Sequence, residues 1–279
     1  MTTEALCLRA LNMRKTALKM AYESGISAHI GGGLSCIDIL AVLYGEIMNV
    51  ANRALTFAEK DKFIMSKGHG VLGLYAALAE FGVISKEILS TFQKDGSDLI
   101  AHPVMNEALG LESSSGSLGQ GISMGVGLAL LAKRKNYSYE VFVICGNGEC
   151  NEGSVWEAVM SAVQFELDNF TVIIDDNGMQ SDGASKNIMD TSGKYFKMFN
   201  ALGLDTREID GHNTNEILKE LKKSVMVGKP RAIIAHTVKG KGISFMEGNN
   251  EWHHNRLTEK QYLAALGELE KREATGEWK

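Results

Sequence analysis

Apolar positions along the chain switch between two periods. From residue 4 to 25, Leu6, Ala10, Met13, Ala17 and Met20 recur at intervals of four and three, the spacing of one helical face, and Gly25 stands where a left-handed C-terminal cap belongs. Ser35 followed by Asp38 has the form of a capping box opening a second helix through Ile37, Leu40, Leu43, Tyr44 and Ile47. "KFIMS" (62–66) predicts a short strand, "GVLGLYAALAEFG" (70–82) a helix, and "GQGISMGVGLALLAKRK" (119–135) a helix rich in small residues. The runs "YEVFVIC" (139–145), "FTVIIDD" (170–176) and "RAIIAHT" (231–237) are too short for core helices and too continuous for strands with one wet face, so each predicts a central parallel strand. Helical segments at about 153–166 and 213–227 separate them. The pattern predicts an α/β fold: a doubly wound, mainly parallel sheet with helices on both faces, formed by residues 1–279 as one domain. The last segment, 258–279, reads as an exposed helix.

Composition narrows the setting. The 279 residues include 29 Lys plus Arg against 34 Asp plus Glu, a formal charge of -5, which gives no electrostatic drive toward nucleic acid or acidic lipid. No window approaches an uncharged apolar span or a secretion signal, which predicts a soluble, cytoplasmic protein without a membrane role. Cys7, Cys36, Cys145 and Cys150 form no CxxC pair and fit neither a zinc site nor a disulfide framework.

Candidate chemistry gathers at the strand ends. In such sheets ligands bind beyond the carboxyl ends of the strands, which brings "GNGE" after the second strand beside "DDNG" after the third. A dinucleotide fingerprint would take Gly146 and Gly148 as its first glycines, but Asn151 holds the third position, and Glu149 and Glu152 would repel a pyrophosphate. A divalent cation removes the objection, because oxygen ligands from Asn147 and Asn177, one βαβ unit apart, can hold a hard ion that bridges to a diphosphate. The competing plain reading is a pair of tight turns.

These residues carry a resemblance. "GNGECNEG" followed by "DNFTVIIDDNGMQSDG" is similar to the thiamine-diphosphate motif of the transketolase family, and "SAHIGGGLS", "MSKGHG", "GSDLIAHP", "ESSSGSLGQG", "DGHN" and "HTVKGKGISFMEGNNEWH" resemble transketolase segments in order from about residue 20 to 255. The resemblance implies thiamine diphosphate with Mg²⁺, or Ca²⁺ or Mn²⁺, held by Asn147, Asn177 and the main-chain carbonyl of Met179. It implies cofactor contacts at His69, Gly116, Leu118, Gly119, Gly146, Gly148, Glu149, Glu152 and Asn177. His29, His69, His102 and His253 resemble the histidines lining the substrate channel, with His29 and His253 the better candidates for moving a hydroxyl proton, work that suits an imidazole. His212 and His236 read as ordinary polar residues of a loop and a strand end, while His254 stands where the family commonly has Gly.

Two departures sharpen the expectation. Asn147 replaces the family's Asp and removes one negative charge from the metal site, which predicts a greater metal requirement or a preference for Ca²⁺ or Mn²⁺. The chain resembles only the diphosphate-binding part of transketolase, which implies a separate C-terminal subunit carrying the pyrimidine-binding domain, an α2β2 assembly, and inactivity of this chain alone. The implied reaction passes a two-carbon ketol unit from a ketose phosphate to an aldose phosphate, with an unusual sugar as a variant. The alternatives are another thiamine-diphosphate enzyme, an NAD oxidoreductase, or a catalytically retired scaffold subunit.

Overall fold

Alternate residues of the apolar runs serve opposite faces of one sheet, and both faces are dry. The computed structural model describes residues 1–50, 55–191 and 193–277. Strands β1 (Lys62–Met65), β2 (Val141–Gly146), β3 (Phe170–Asp176), β6 (Asp205–Asp210) and β7 (Arg231–His236) form a parallel sheet in the order β1-β2-β3-β7-β6, while β4 (Met179–Gln180) and β5 (Gly183–Ala184) make a small antiparallel hairpin. Phe142, Ile144, Ile173 and Ile233 belong to the core on one face; Val141, Val143, Val172, Ile174 and Ile234 belong to the core on the other. This period-two split of continuous apolar runs is what a parallel sheet covered on both sides requires.

The first face is covered by α1 (Thr3–Glu23), α2 (Ile30–Leu34), α3 (Ile37–Val42), α4 (Val71–Glu80), α9 (Thr214–Leu221) and α10 (Glu259–Thr275). The second is covered by α5 (Gln120–Lys135), α6 (Gly153–Gln164) and α8 (Tyr195–Leu202), and a single turn, α7 (Ser185–Ile188), follows the hairpin. The doubly wound α/β architecture is therefore as the sequence predicts. Among the described residues no helix is long and apolar enough to cross a membrane.

Several local expectations change. Ser35 does not cap α3: its hydroxyl donates to Gly32 O and to Asp175, while Asp38 forms a two-pronged ion pair with Arg14 and meets His212 Nδ1 at 2.7 Å. His212 Nε2 also accepts from Val238 N at 2.8 Å, so this histidine ties two loops to the α3 face and is no solvent-facing loop residue. The buried arginine offers Asp38 more than the end of α3 does, and holds its carboxyl well below the usual range against a burial penalty that acts the other way.

The segment at 213–227 is helical only through Leu221, and Arg231 satisfies open carbonyls at that end, donating to Leu221 O and Lys223 O at 3.1 and 3.0 Å. The pattern missed β6 and α8. β6 is an edge strand whose "DTREID" has its buried positions, Thr206 and Ile209, three apart, so it carries neither an apolar run nor a period-two pattern. The C-terminal helix is half-buried: Ala265 and Leu269, four apart, pack toward α1, and Tyr262 stacks on Tyr22 with ring centroids 4.4 Å apart. The last two residues of that expected helix lie outside the described residues.

Candidate functional site

The carboxyl ends of four strands converge on one cavity. β1 delivers Lys67 and His69, β2 delivers Gly146, Asn147, Gly148 and Glu149, β3 leads into Asn177 and Met179, and β7 leads into Lys239; all of these, with Gly32, Leu118, Gln180, Ser181 and His253, line a cavity of about 130 Å³. A larger cavity of about 450 Å³ borders Lys62 at the amino end of β1, away from the strand ends where such sheets place their chemistry.

Glu149 explains why a glycine loop suited to phosphate carries a carboxylate. Its side chain turns inward, 2 % of the residue being exposed, and accepts from Ser66 Oγ (2.5 Å), Gly119 N (2.8 Å) and Gly146 N (3.0 Å). Burial pushes its pKa up, while these donors act in the opposite direction. The carboxylate therefore joins three chain segments at the cavity wall. Gly119 can join them only as glycine: its φ is +79°, and a Cβ would lie 2.4 Å from Ser154 Oγ. Gly32, in α2, is held to glycine by space alone: a Cβ there would lie 2.9 Å from the His69 ring.

Two lysines that the sequence reading missed stand in the cavity. Lys67 and Asp175 form a fully buried ion pair, and Asp175 also accepts from Ser35 Oγ, Thr237 Oγ1 and Asn177 Nδ2. Burial disfavours both charges, but their mutual attraction and these hydrogen bonds keep the aspartate ionised and the lysine protonated. Lys239 is different. It donates to Gln180 O (3.2 Å), Asn250 Oδ1 (2.8 Å) and His253 Nδ1 (2.9 Å), but no carboxylate lies within ion-pair distance among the described residues. Burial first, then repulsion from Lys67, brings its pKa down to about 8. Gln180 Nε2 is buried with no hydrogen-bond acceptor among the described residues. An incompletely neutralised ammonium beside an unused amide donor is an environment suited to an anion. The available signal was positional: Lys67 and Lys239 follow strands in glycine-flanked turns, where the same strand-end rule applies.

The four expected histidines meet. The His29 ring lies 5.6 Å from His69, 5.4 Å from His102 and 5.3 Å from His253, and His69 lies 5.4 Å from His253. Burial first, then repulsion from neighbouring lysines and histidines, His254 among them, lowers all four; His29 falls to about 3 and His253 to about 4, and His69 lies well below its ordinary value. They are neutral at pH 7. Because His253 Nδ1 faces the Lys239 ammonium, its neutral ring carries its proton on Nε2. His254 joins the group with its ring 4.5 Å from His29.

The remaining residues occupy different places. Asn147 is buried, its Nδ2 donating to Ser185 Oγ at 2.7 Å, while among the described residues its Oδ1 accepts no hydrogen bond. Asn177 Oδ1 accepts from Met179 N at 3.1 Å and keeps a second lone pair. Gly116, with φ +148°, packs beside the His102 ring. Glu152 is exposed at the start of α6, outside the cavity, and its stem packs beside Gly119. His236 is a half-exposed strand-end residue near Asp176 and Glu208. Among the described residues no group of three or more His, Cys, Asp or Glu is placed to hold a metal, so an ion here would rest on amide and main-chain oxygens.

Parallel strand ends, an anion-suited cavity and a histidine-lined mouth define an α/β protein that receives a phosphorylated cofactor. Comparison with known proteins is specific. The family model "Transketolase, thiamine diphosphate binding domain" matches residues 7–269. The chain is 38% identical over 273 residues to a subunit of the apulose-4-phosphate transketolase of Phocaeicola vulgatus, covering 98% of this chain and 96% of that one. It is 39% identical over 260 residues to a 6-deoxy-6-sulfo-D-fructose transketolase subunit of a Clostridium species, covering 93% and 94%. Transketolase of Campylobacter jejuni superposes with a TM-score of 0.88 at 30% identity, covering 97% of this chain and 43% of that one. The chain thus spans less than half of such single-chain transketolases. It belongs to the transketolase family, as the thiamine-diphosphate-binding N-terminal part in its separate-subunit form.

Proposed function

We propose that this chain is the cofactor-diphosphate half of a two-chain cytoplasmic transketolase, passing a two-carbon ketol unit from a ketose phosphate to an aldose phosphate. The observation that carries the reading is the ring of neutral histidines at the mouth of a cavity whose wall presents Lys239 and the unused Gln180 amide. When bound, thiamine diphosphate supplies the nucleophilic carbon that lets a ketose C2–C3 bond break. Lys239, Gln180 Nε2 and the glycine-lined turn at Gly146–Gly148 would hold its diphosphate. Asn147 Oδ1, Asn177 Oδ1 and Met179 O would hold a divalent cation, an all-oxygen set of a kind that suits Mg²⁺ or Ca²⁺.

The histidines do the work at the sugar. Neutral imidazoles both donate and accept, so His29, His102 and His253 can hold substrate hydroxyls in a fixed order. His253, with its proton on Nε2, is placed to donate a hydrogen bond to a substrate oxygen, and the neutral His29 ring to accept one from a substrate hydroxyl. The remainder of the site belongs to a C-terminal subunit with the pyrimidine-binding domain, in an α2β2 assembly. The names of the relatives that are themselves single subunits favour an unusual phosphorylated or sulfonated sugar as donor over ordinary pentose phosphates.

The test is native mass spectrometry of the tagged chain taken from its source cells with thiamine diphosphate and Mg²⁺, then with EDTA. A second subunit with EDTA-sensitive cofactor supports the reading. A complex free of cofactor at high Mg²⁺ would make the chain a retired scaffold, a reading that the uncharged Asn147 motivates.

A further inference from the structure

The histidine group contains a fifth member with no assigned task. Ala28 and Asn255 form an isolated antiparallel bridge, each main-chain N–H donating to the other's carbonyl at 3.0 and 3.1 Å. In antiparallel pairing the residue after one partner faces the residue before the other, and the pair next to a hydrogen-bonded pair brings its side chains closest. That next pair is His29 and His254. The bridge sets their rings 4.5 Å apart, closer than any of the other three rings comes to His29. His254 adopts extended backbone, φ -147°, is exposed, and makes no hydrogen bond among the described residues. A side chain fixed in place by its backbone yet left with both ring nitrogens open is suited to a ligand entering from solvent.

We propose that His254 is a specificity-determining residue at the lip of the site, where its imidazole hydrogen-bonds a hydroxyl of the substrate's carbon chain next to the one that His29 holds. The inference rests on the transketolase reading above. Two imidazoles locked side by side match adjacent hydroxyls of an open-chain sugar. The outer one meets the part of the chain farther from the cofactor, the part in which donors and acceptors differ.

The experiment uses the full chain assembled with its partner subunit, comparing wild type with His254→Ala and His254→Asn across a panel of ketose and aldose phosphates. Loss of one substrate hydrogen bond predicts that KM rises roughly 5- to 30-fold in His254→Ala while kcat moves less than about 3-fold, with the ratio among sugars changed. His254→Asn, which keeps a donor and an acceptor, should recover part of the loss. Cofactor affinity and melting temperature should stay at wild-type values, because an exposed ring without hydrogen bonds holds little structure. A KM unchanged for every sugar, or cofactor affinity falling in step with KM, would overturn the role of His254 alone. A wild-type assembly that turns over none of the sugars would instead overturn the transketolase reading and this inference with it.

Discussion

Removing the Glu149 carboxylate should loosen the cavity wall before it touches any chemistry. Glu149→Ala leaves Gly119 N and Gly146 N without an acceptor in a buried setting, while the Ser66 hydroxyl can rotate to another partner. An orphaned buried donor costs about 1–3 kcal/mol, so the two main-chain groups together cost roughly 2–6 kcal/mol. Part is returned because a carboxylate whose own burial is unfavourable is gone, leaving a net loss of about 2–4 kcal/mol. At about 2–4 °C per kcal/mol for a chain of this size, melting should fall by roughly 5–15 °C. Glu149→Gln keeps one oxygen for Ser66 and Gly119 but turns an NH₂ toward Gly146 N, so its melting temperature should lie between the other two. Circular dichroism melts of the three proteins without cofactor make the test, and thiamine diphosphate affinity should fall in the same order. A Glu149→Ala protein melting within about 2 °C of wild type, or a Gln variant less stable than the Ala one, would refute the idea that this residue joins the loops.

Other expectations follow from the same cavity. Lys239→Met should melt higher than wild type without cofactor, because an ammonium that burial disfavours is removed, yet bind thiamine diphosphate roughly 10- to 100-fold more weakly by calorimetry; unchanged affinity would exclude Lys239 from the anion site. Asn147→Asp should lower the Mg²⁺ concentration needed for half-maximal cofactor binding by about tenfold, since the restored charge attracts the ion directly; an unchanged titration would place the metal elsewhere. His29 near 3 and His253 near 4 both lie below the unfolded value of about 6.5. Below that pH the unfolded chain binds more protons than the folded one, so stability should fall as pH drops from about 6.5 toward 4. Urea midpoints at about pH 7 and about pH 5 should show this loss, with a smaller loss in His29→Asn; equal losses would mean that His29 titrates normally.

What the sequence alone determined is what short-range geometry controls. A run such as "FTVIIDD" is a central strand because alternate side chains need two apolar faces, and the ends of such strands are where loops meet a ligand. That placed Asn147 and Asn177 at one crevice, and the order of motifs brought in the four histidines. Three things waited for the tertiary structure. Ser35 and Asp38 have the spacing of a cap, but partners far along the chain, Asp175 and Arg14, hold them more strongly than the helix end does. Glu149 has a carboxylate's sequence signature but an interior role, because its three donors come from three segments that only folding brings together. Lys67 and Asp175, 108 positions apart, neutralise each other and leave Lys239, among the described residues, as the lysine facing the cavity without a carboxylate. Periodicity reports which face of an element is buried over a few residues; which charge meets which, and which stays open for a ligand, is set by packing between elements remote in sequence.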